Sequence, residues 1–154
     1  MLTGARAVLI RGPSGSGKSR LAFELILAAR PGLLPFSRLI GDDRVHLENA
    51  NGRLLVRPAA ALAGLIELRG AGIRKLDYEP GGVVGLVVDL DAADAARLPD
   101  KQTIEIEGVS VPWLAVAAGA AALPAVIALL TSSGASAPSK NPEFRRPVTQ
   151  AVGD

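Results

Sequence analysis

The sequence predicts an α/β domain, and three observations predict it. Near the start, a short apolar segment leads into a glycine-rich turn and then into an amphipathic run with the 3.6-residue period of a helix. Two pairs of alternating segments face each other across glycine-containing turns, the pattern of antiparallel hairpins. Between them lies a continuous apolar run, the composition of a strand covered on both faces. At 154 residues the chain suits one domain whose core needs no covalent staple.

Ala7–Arg11 is the first strand. A helix follows from about Lys18 to Ala29, with Leu21, Leu25 and Ala28 on one face, and Pro31-Gly32 stops it. Ser37–Ile40 reads as a second strand running into Gly41-Asp42-Asp43. Val45–Glu48 and Leu54–Arg57 alternate around Asn51-Gly52, a dipeptide that readily adopts the left-handed conformations of a tight hairpin turn. Val83–Leu90 is the buried strand, and Thr103–Ile106 with Val109–Val116 forms a second hairpin across Gly108. Pro124 opens a helical stretch through Leu130. From Thr131 the chain turns to Ser, Gly, Pro and charge, which divides it into a domain over 1–132 and a flexible tail over 133–154.

Composition removes several function classes. The chain has no cysteine, which excludes disulfides and thiolate metal sites and makes a reducing, cytoplasmic setting the expectation. Lys plus Arg number 17 against 15 for Asp plus Glu, a near balance that gives no footprint for nucleic acid. One histidine leaves little for zinc chemistry or a Ser-His-Asp triad. Met1-Leu2-Thr3-Gly4 lacks the basic and then apolar regions of a secretory leader. Val111–Leu130 is uncharged and long enough to cross a bilayer. It is alanine-rich, however, is interrupted by Pro112, Gly119 and Pro124, and changes midway from a strand to a helix pattern, so no membrane span is expected.

Gly12-Pro13-Ser14-Gly15-Ser16-Gly17-Lys18-Ser19 matches G-x-x-x-x-G-K-[ST] at every fixed position and lies between a strand and a helix, the context that gives this motif its meaning. Glycines let successive backbone N–H groups turn inward around an anion, and the helix N-terminus adds partial positive charge. Lys18 is positioned to reach the β- and γ-phosphates, and the Ser19 hydroxyl to ligate Mg²⁺, so ATP and Mg²⁺ are the expected ligands.

Such a site needs carboxylates, and two places offer them. Asp42 and Asp43 close a short apolar strand that, one helix and one loop past Lys18, can pair beside the first strand; one of the two then faces the phosphates and the other away, or the pair forms a solvated turn at the strand end. The alternative is Asp89, at the end of Val83–Asp89 in the manner of a Walker B strand, unless Asp89, Asp91 and Asp94 simply open an acidic surface turn. In Gly64-Leu65-Ile66-Glu67-Leu68-Arg69-Gly70-Ala71-Gly72-Ile73, Glu67 and Arg69 are two apart and share a face on a strand. A carboxylate and a guanidinium so placed suit metal and phosphate together, or form an ordinary surface ion pair.

In this order, Gly12–Ser19, Gly41-Asp42-Asp43-Arg44-Val45 and Gly64–Ile73 resemble the three signatures of the HPr kinase/phosphorylase catalytic domain. These are a P-loop of G-x-S-G-x-G-K-S form, a D-D-x-V element and a G-x-I-E-x-R-G-x-G-I loop. The similarity covers about residues 7–130. The resemblance implies a fold related to phosphoenolpyruvate carboxykinase, with mixed sheets around the P-loop. It implies ATP-dependent phosphorylation of a serine on HPr, a small carrier of the sugar or nitrogen phosphotransferase system; many members also run the reverse phosphorolysis. It makes Asp43 the catalytic carboxylate that takes the acceptor's proton, puts Lys18 on the phosphates, and gives Mg²⁺ to Ser19 and Glu67, with Asp42 as a third metal residue. Arg69 would belong to the loop contacting the transferred phosphoryl, and Arg97, in Ala96-Arg97-Leu98, resembles a further catalytic arginine of the family.

Two departures modify that picture. Family members usually carry a histidine on a strand ahead of the P-loop, whereas the lone histidine here, His46, follows Asp43 on a hairpin and reads as a surface residue. The family's late basic segment, tied to phosphorolysis, is replaced by Val116-Ala117-Ala118-Gly119-Ala120-Ala121. The chain is thus read as a short form, lacking the amino-terminal domain of longer members, that acts as a kinase with weak or absent phosphorylase activity. A small-molecule P-loop kinase, disfavoured by the lack of an arginine-rich lid, and a nucleotide-binding regulatory module with reduced catalysis remain as alternatives. The acceptor and the oligomeric state, a homo-oligomer included, stay open.

Overall fold

The computed structural model describes residues 2–3, 6–93, 95 and 103–132. In chain order the strands are β1 (Leu2–Thr3), β2 (Arg6–Arg11), β3 (Ser37–Arg38), β4 (Val45–Ala50), β5 (Arg53–Pro58), β6 (Leu65–Leu68), β7 (Gly72–Lys75), β8 (Gly82–Asp89), β9 (Thr103–Ile106) and β10 (Val109–Ala115). Helix α1 spans Lys18–Ala29 and α2 spans Leu123–Thr131, and a single 3₁₀ turn covers Ala60–Leu62.

The main sheet runs β3-β1-β2-β8-β10-β9, with the β4–β5 hairpin joined to it through β5 and β8. β2, β8 and β10 are mutually parallel, while β1, β3, β5 and β9 join antiparallel, so the sheet is mixed. β6 and β7 form a separate two-stranded sheet. The centre is parallel because β2 and β8 are apolar on both faces. Val8, Leu86 and Val88 pack under α1 against Leu21, Leu25 and Ala28, and Val126 of α2 closes that layer. Ala7, Leu9 and Val87 face the other way, against Leu54 and Val56 of β5 and Val111 of β10. Strands buried on both sides need this unbroken hydrophobicity.

The hairpins form where the turn residues permit. Asn51 and Gly52 have φ of 53° and 82°, and Glu107 and Gly108 have 50° and 73°, the paired left-handed geometry that matches strand twist. Asn49 secures the first turn, its side-chain oxygen accepting the Gly52 N–H at 3.0 Å. His46 is exposed on β4, as expected.

One expectation is corrected. Ser37–Ile40 forms ladder only at Ser37 and Arg38, and that strand pairs with β1. β2 is flanked by β1 on one side and by β8 on the other, so β3 lies outside β1; β8, eight residues long and apolar on both faces, makes the longer, parallel pairing. The uncharged run is a strand as far as Ala115, and its helix begins at Leu123. Among the described residues no helix is long and apolar enough to cross a membrane. The expected tail, 133–154, lies outside the described residues.

Candidate active site

β2 delivers the chain into the glycine-rich turn at the top of the parallel strands. Gly15 and Gly17 have φ of 81° and 94°, and the Leu21 N–H donates to the Gly17 carbonyl at 2.9 Å to begin α1. No side chain caps this helix and no acid lies in its first turn, so its opening N–H groups and partial positive charge are available to an anion. Close packing dictates Gly12, since a Cβ there would stand 2.6 Å from Ser16 Oγ and 3.0 Å from the Leu90 carbonyl oxygen. Ser16 Oγ is buried without a hydrogen-bond partner among the described residues. A buried hydroxyl within an anion cradle is a donor suited to a phosphate oxygen. Lys18 arches back over the turn, donating from Nζ to the carbonyls of Gly12 at 2.8 Å and Pro13 at 3.0 Å.

The turn forms one wall of a cleft of about 1120 Å³, lined also by Asp42, Asp43, Glu67, Arg69, Phe23 and Ile73. Three segments distant in sequence thus converge on one space. Asp42 and Asp43 sit in a bend after the fully buried Ile40, so strand alternation does not separate them and both line the cleft. Asp42 accepts the Ser19 hydroxyl at 2.5 Å through Oδ1 and the Glu67 backbone N–H at 3.0 Å through Oδ2. Asp43 is exposed and makes no hydrogen bond or ion pair among the described residues.

Glu67 is on β6, directly across from Ile73 of β7. Arg69 is in the turn beyond the end of β6, so the expected shared strand face is corrected; both residues reach the cleft because Gly70 and Gly72, at φ 85° and 76°, fold the turn over it. Ile66 anchors the hairpin, fully buried against Ala22 and Leu39. Arg97 lies outside the described residues.

No family model matches the chain. The HPr kinase/phosphorylase of an Exiguobacterium species is 34% identical over 122 residues, covering 71% of this chain and 37% of that protein. The HPr kinase/phosphorylase of Mycoplasma mycoides is 42% identical over 66 residues, 43% of this chain and 19% of that protein. The chain belongs with the HPr kinase/phosphorylase family over the part of it that it spans. That part is just over a third of the length of the Exiguobacterium relative. The solved structure of the Hpr(Ser) kinase/phosphatase from Coxiella burnetii matches with a TM-score of 0.65 over 81% of either chain at 24% identity, a likeness of fold.

The signatures shared with HPr kinase/phosphorylases do not reveal one cluster at the root of the P-loop. Asp89 is no solvated surface acid. Arg11 grips it with Nε at 2.7 Å and Nη2 at 2.6 Å, and the Trp113 indole donates to it at 2.8 Å. Burial pushes the Asp89 carboxyl up, but the hydrogen bonds from Arg11 and Trp113, with the Arg11 charge, outweigh it and hold the group below its ordinary value. The hydrogen bond to Asp89 raises Arg11 against the opposing effect of burial. Val87 and Val88 alternate between the two cores, so Asp89 follows Val87 onto the sheet face opposite α1 and lies outside the cleft. The one advance signal is that two apolar strands, β2 and β8, end in opposite charges at Arg11 and Asp89.

Proposed function

We propose that the protein is an ATP-dependent serine kinase acting in the cytoplasm on an HPr-like phosphocarrier of a phosphotransferase system, with weak or absent reverse phosphorylase activity. The observation that carries this is the gathering of Lys18, Ser19, Asp42, Asp43, Glu67 and Arg69 around one cleft from three separate segments. The names of the relatives support the choice of acceptor.

The backbone from Gly12 to Ser19 cradles the ATP phosphates, with Ser16 Oγ as a further donor and Lys18 swinging from its two carbonyls onto the anion. The oxygen donors Ser19 and Glu67 fit Mg²⁺, which prefers hard oxygen ligands and retains waters and phosphate oxygens. When bound, Mg²⁺ supplies charge neutralisation at the phosphates. Asp43, unpaired and exposed in the cleft, accepts the proton of the serine hydroxyl as it attacks, and the Arg69 fork meets the dispersed charge of the transferred phosphoryl. A weak base suffices, because the transition state is loose and positioning supplies most of the rate.

Phosphorolysis brings inorganic phosphate and phosphoserine together and needs cations to offset their repulsion. Residues 117–121 are exposed and carry no charge, and residues 1–11 contain no histidine. Incubation with labelled ATP, Mg²⁺ and the HPr-like protein of the same genome should label a serine of the carrier. ATP binding without transfer would leave the nucleotide-binding module instead. With phosphoserine carrier and millimolar phosphate, pyrophosphate release should be far slower than forward transfer, and comparable rates would refute the directional bias.

A further inference from the structure

We infer that Asp42 is a positioning residue that sets the spacing between the two candidate Mg²⁺ ligands by hydrogen-bonding to both of the segments that carry them, an inference resting on the kinase reading of the cleft. Ser19 is in the first turn of α1 and Glu67 is on β6, and no ladder joins these elements. The Asp42 carboxylate spans the gap, one oxygen on the Ser19 hydroxyl and the other on the Glu67 N–H.

The register of the β6–β7 hairpin explains why the Glu67 amide is free to be taken. The Leu76 N–H donates to the Gly64 carbonyl at 2.7 Å, which makes Gly64 and Leu76 a hydrogen-bonded pair. Pairs then alternate along an antiparallel ladder. Ile66 with Arg74 and Leu68 with Gly72 are hydrogen-bonded, while Glu67 opposite Ile73 points its N–H away from β7. Asp42 receives that outward N–H. The buried Ile66 fixes the hairpin against α1 and β3's extension through packing, and Asp42 fixes the next residue through a charge-assisted bond.

The carboxylate also sets the direction of the serine proton. With its proton donated to Oδ1, Ser19 Oγ keeps lone pairs for a cation. An amide at position 42 has a single acceptor oxygen. Either its NH₂ would confront the Glu67 N–H, or Ser19 would turn to accept from it and aim its own proton at the cation site.

Two measurements on the full chain test this. Hydrogen exchange followed by NMR in nucleotide-free protein should show the Glu67 amide exchanging at least about tenfold faster in Asp42→Ala, with the ladder amides of Ile66 and Arg74 unchanged. Binding of a non-hydrolysable ATP analogue should require roughly tenfold more Mg²⁺ for half-saturation in Asp42→Ala and Asp42→Asn, the usual cost of losing a residue that orients metal ligands. Affinity for the analogue without Mg²⁺ should not fall, because both variants remove a negative charge from beside the anion cradle. Asp42→Asn preserves side-chain volume and serves if the alanine variant does not fold. Unchanged Glu67 exchange overturns the bridge, and faster exchange with unchanged Mg²⁺ dependence overturns its link to the cation. A wild-type protein that failed to bind the analogue would refute the kinase reading, while the exchange comparison would still decide the bridge.

Discussion

Replacing Asp89 by asparagine removes a negative charge from the point where β2, β8 and β10 are held together, just below the P-loop. Three donors converge on the carboxylate, two from Arg11 and one from Trp113. Asparagine offers one acceptor atom, so at least one of these donors would meet an NH₂ group instead. Breaking a fully buried charge pair costs about 3–5 kcal/mol, and an exposed pair is worth about 0.2–1 kcal/mol. The Arg11 and Asp89 side chains are 38% and 19% exposed, which places this pair between those limits. The expected loss is about 1–2 kcal/mol at pH 7, or roughly 5 °C in Tm for a domain of this size.

The pH dependence follows from the sign of the shifts. Asp89 is held below its ordinary value in the folded state, so its stabilisation is fully present above the unfolded carboxyl value of about 3.9. It is lost as pH falls through the lower folded value. Arg11 is raised, so its contribution disappears only at pH far above the assay range. Thermal unfolding of wild type and Asp89→Asn should therefore differ at pH 7 and converge below about pH 4. Because Asp89 lies outside the cleft, phosphoryl transfer by the variant should change by no more than about threefold, well short of the effect of removing a group in contact with the reacting atoms. Equal Tm values at pH 7, or a gap that widens on acidification, would refute this account of the cluster.

The remaining predictions concern the cleft. Lys18→Ala should reduce transfer by at least about two orders of magnitude, since it removes a cation from the phosphates, and survival of both hydrolysis and transfer would displace the site. Asp43→Asn should lower the transfer rate by about 10²–10⁴ with ATP affinity little changed, the range expected for loss of a general base; single-turnover transfer and equilibrium ATP binding separate the two. Glu67→Gln should raise the Mg²⁺ needed for half-maximal rate by about tenfold, and an unchanged Mg²⁺ titration would return Glu67 to the role of a surface acid.

Much of the molecule is legible in the amino-acid order because the forces concerned act over a few residues. Helix α1 coincides with the expected Lys18–Ala29, since its apolar period and the Pro31-Gly32 stop are local. Both tight hairpins stand where Asn51-Gly52 and Gly108 place them, because left-handed φ values are a property of those turn residues and their neighbours. The glycine-rich turn between β2 and α1 is readable for the same reason, since its residues are consecutive. Strand order was not. It required β8, distant in sequence and apolar on both faces, to pair with one edge of β2, and β1 to take the other edge and leave the short β3 outside it. The different surroundings of Asp42 and Asp43 were equally hidden, because their bend frees them from strand alternation and Asp42 reaches partners 23 and 25 residues away. The Arg11–Asp89–Trp113 cluster joins residues separated by 78 and 24 positions. Such contacts leave no periodic trace in the sequence, since their geometry exists only once the parallel strands are in register.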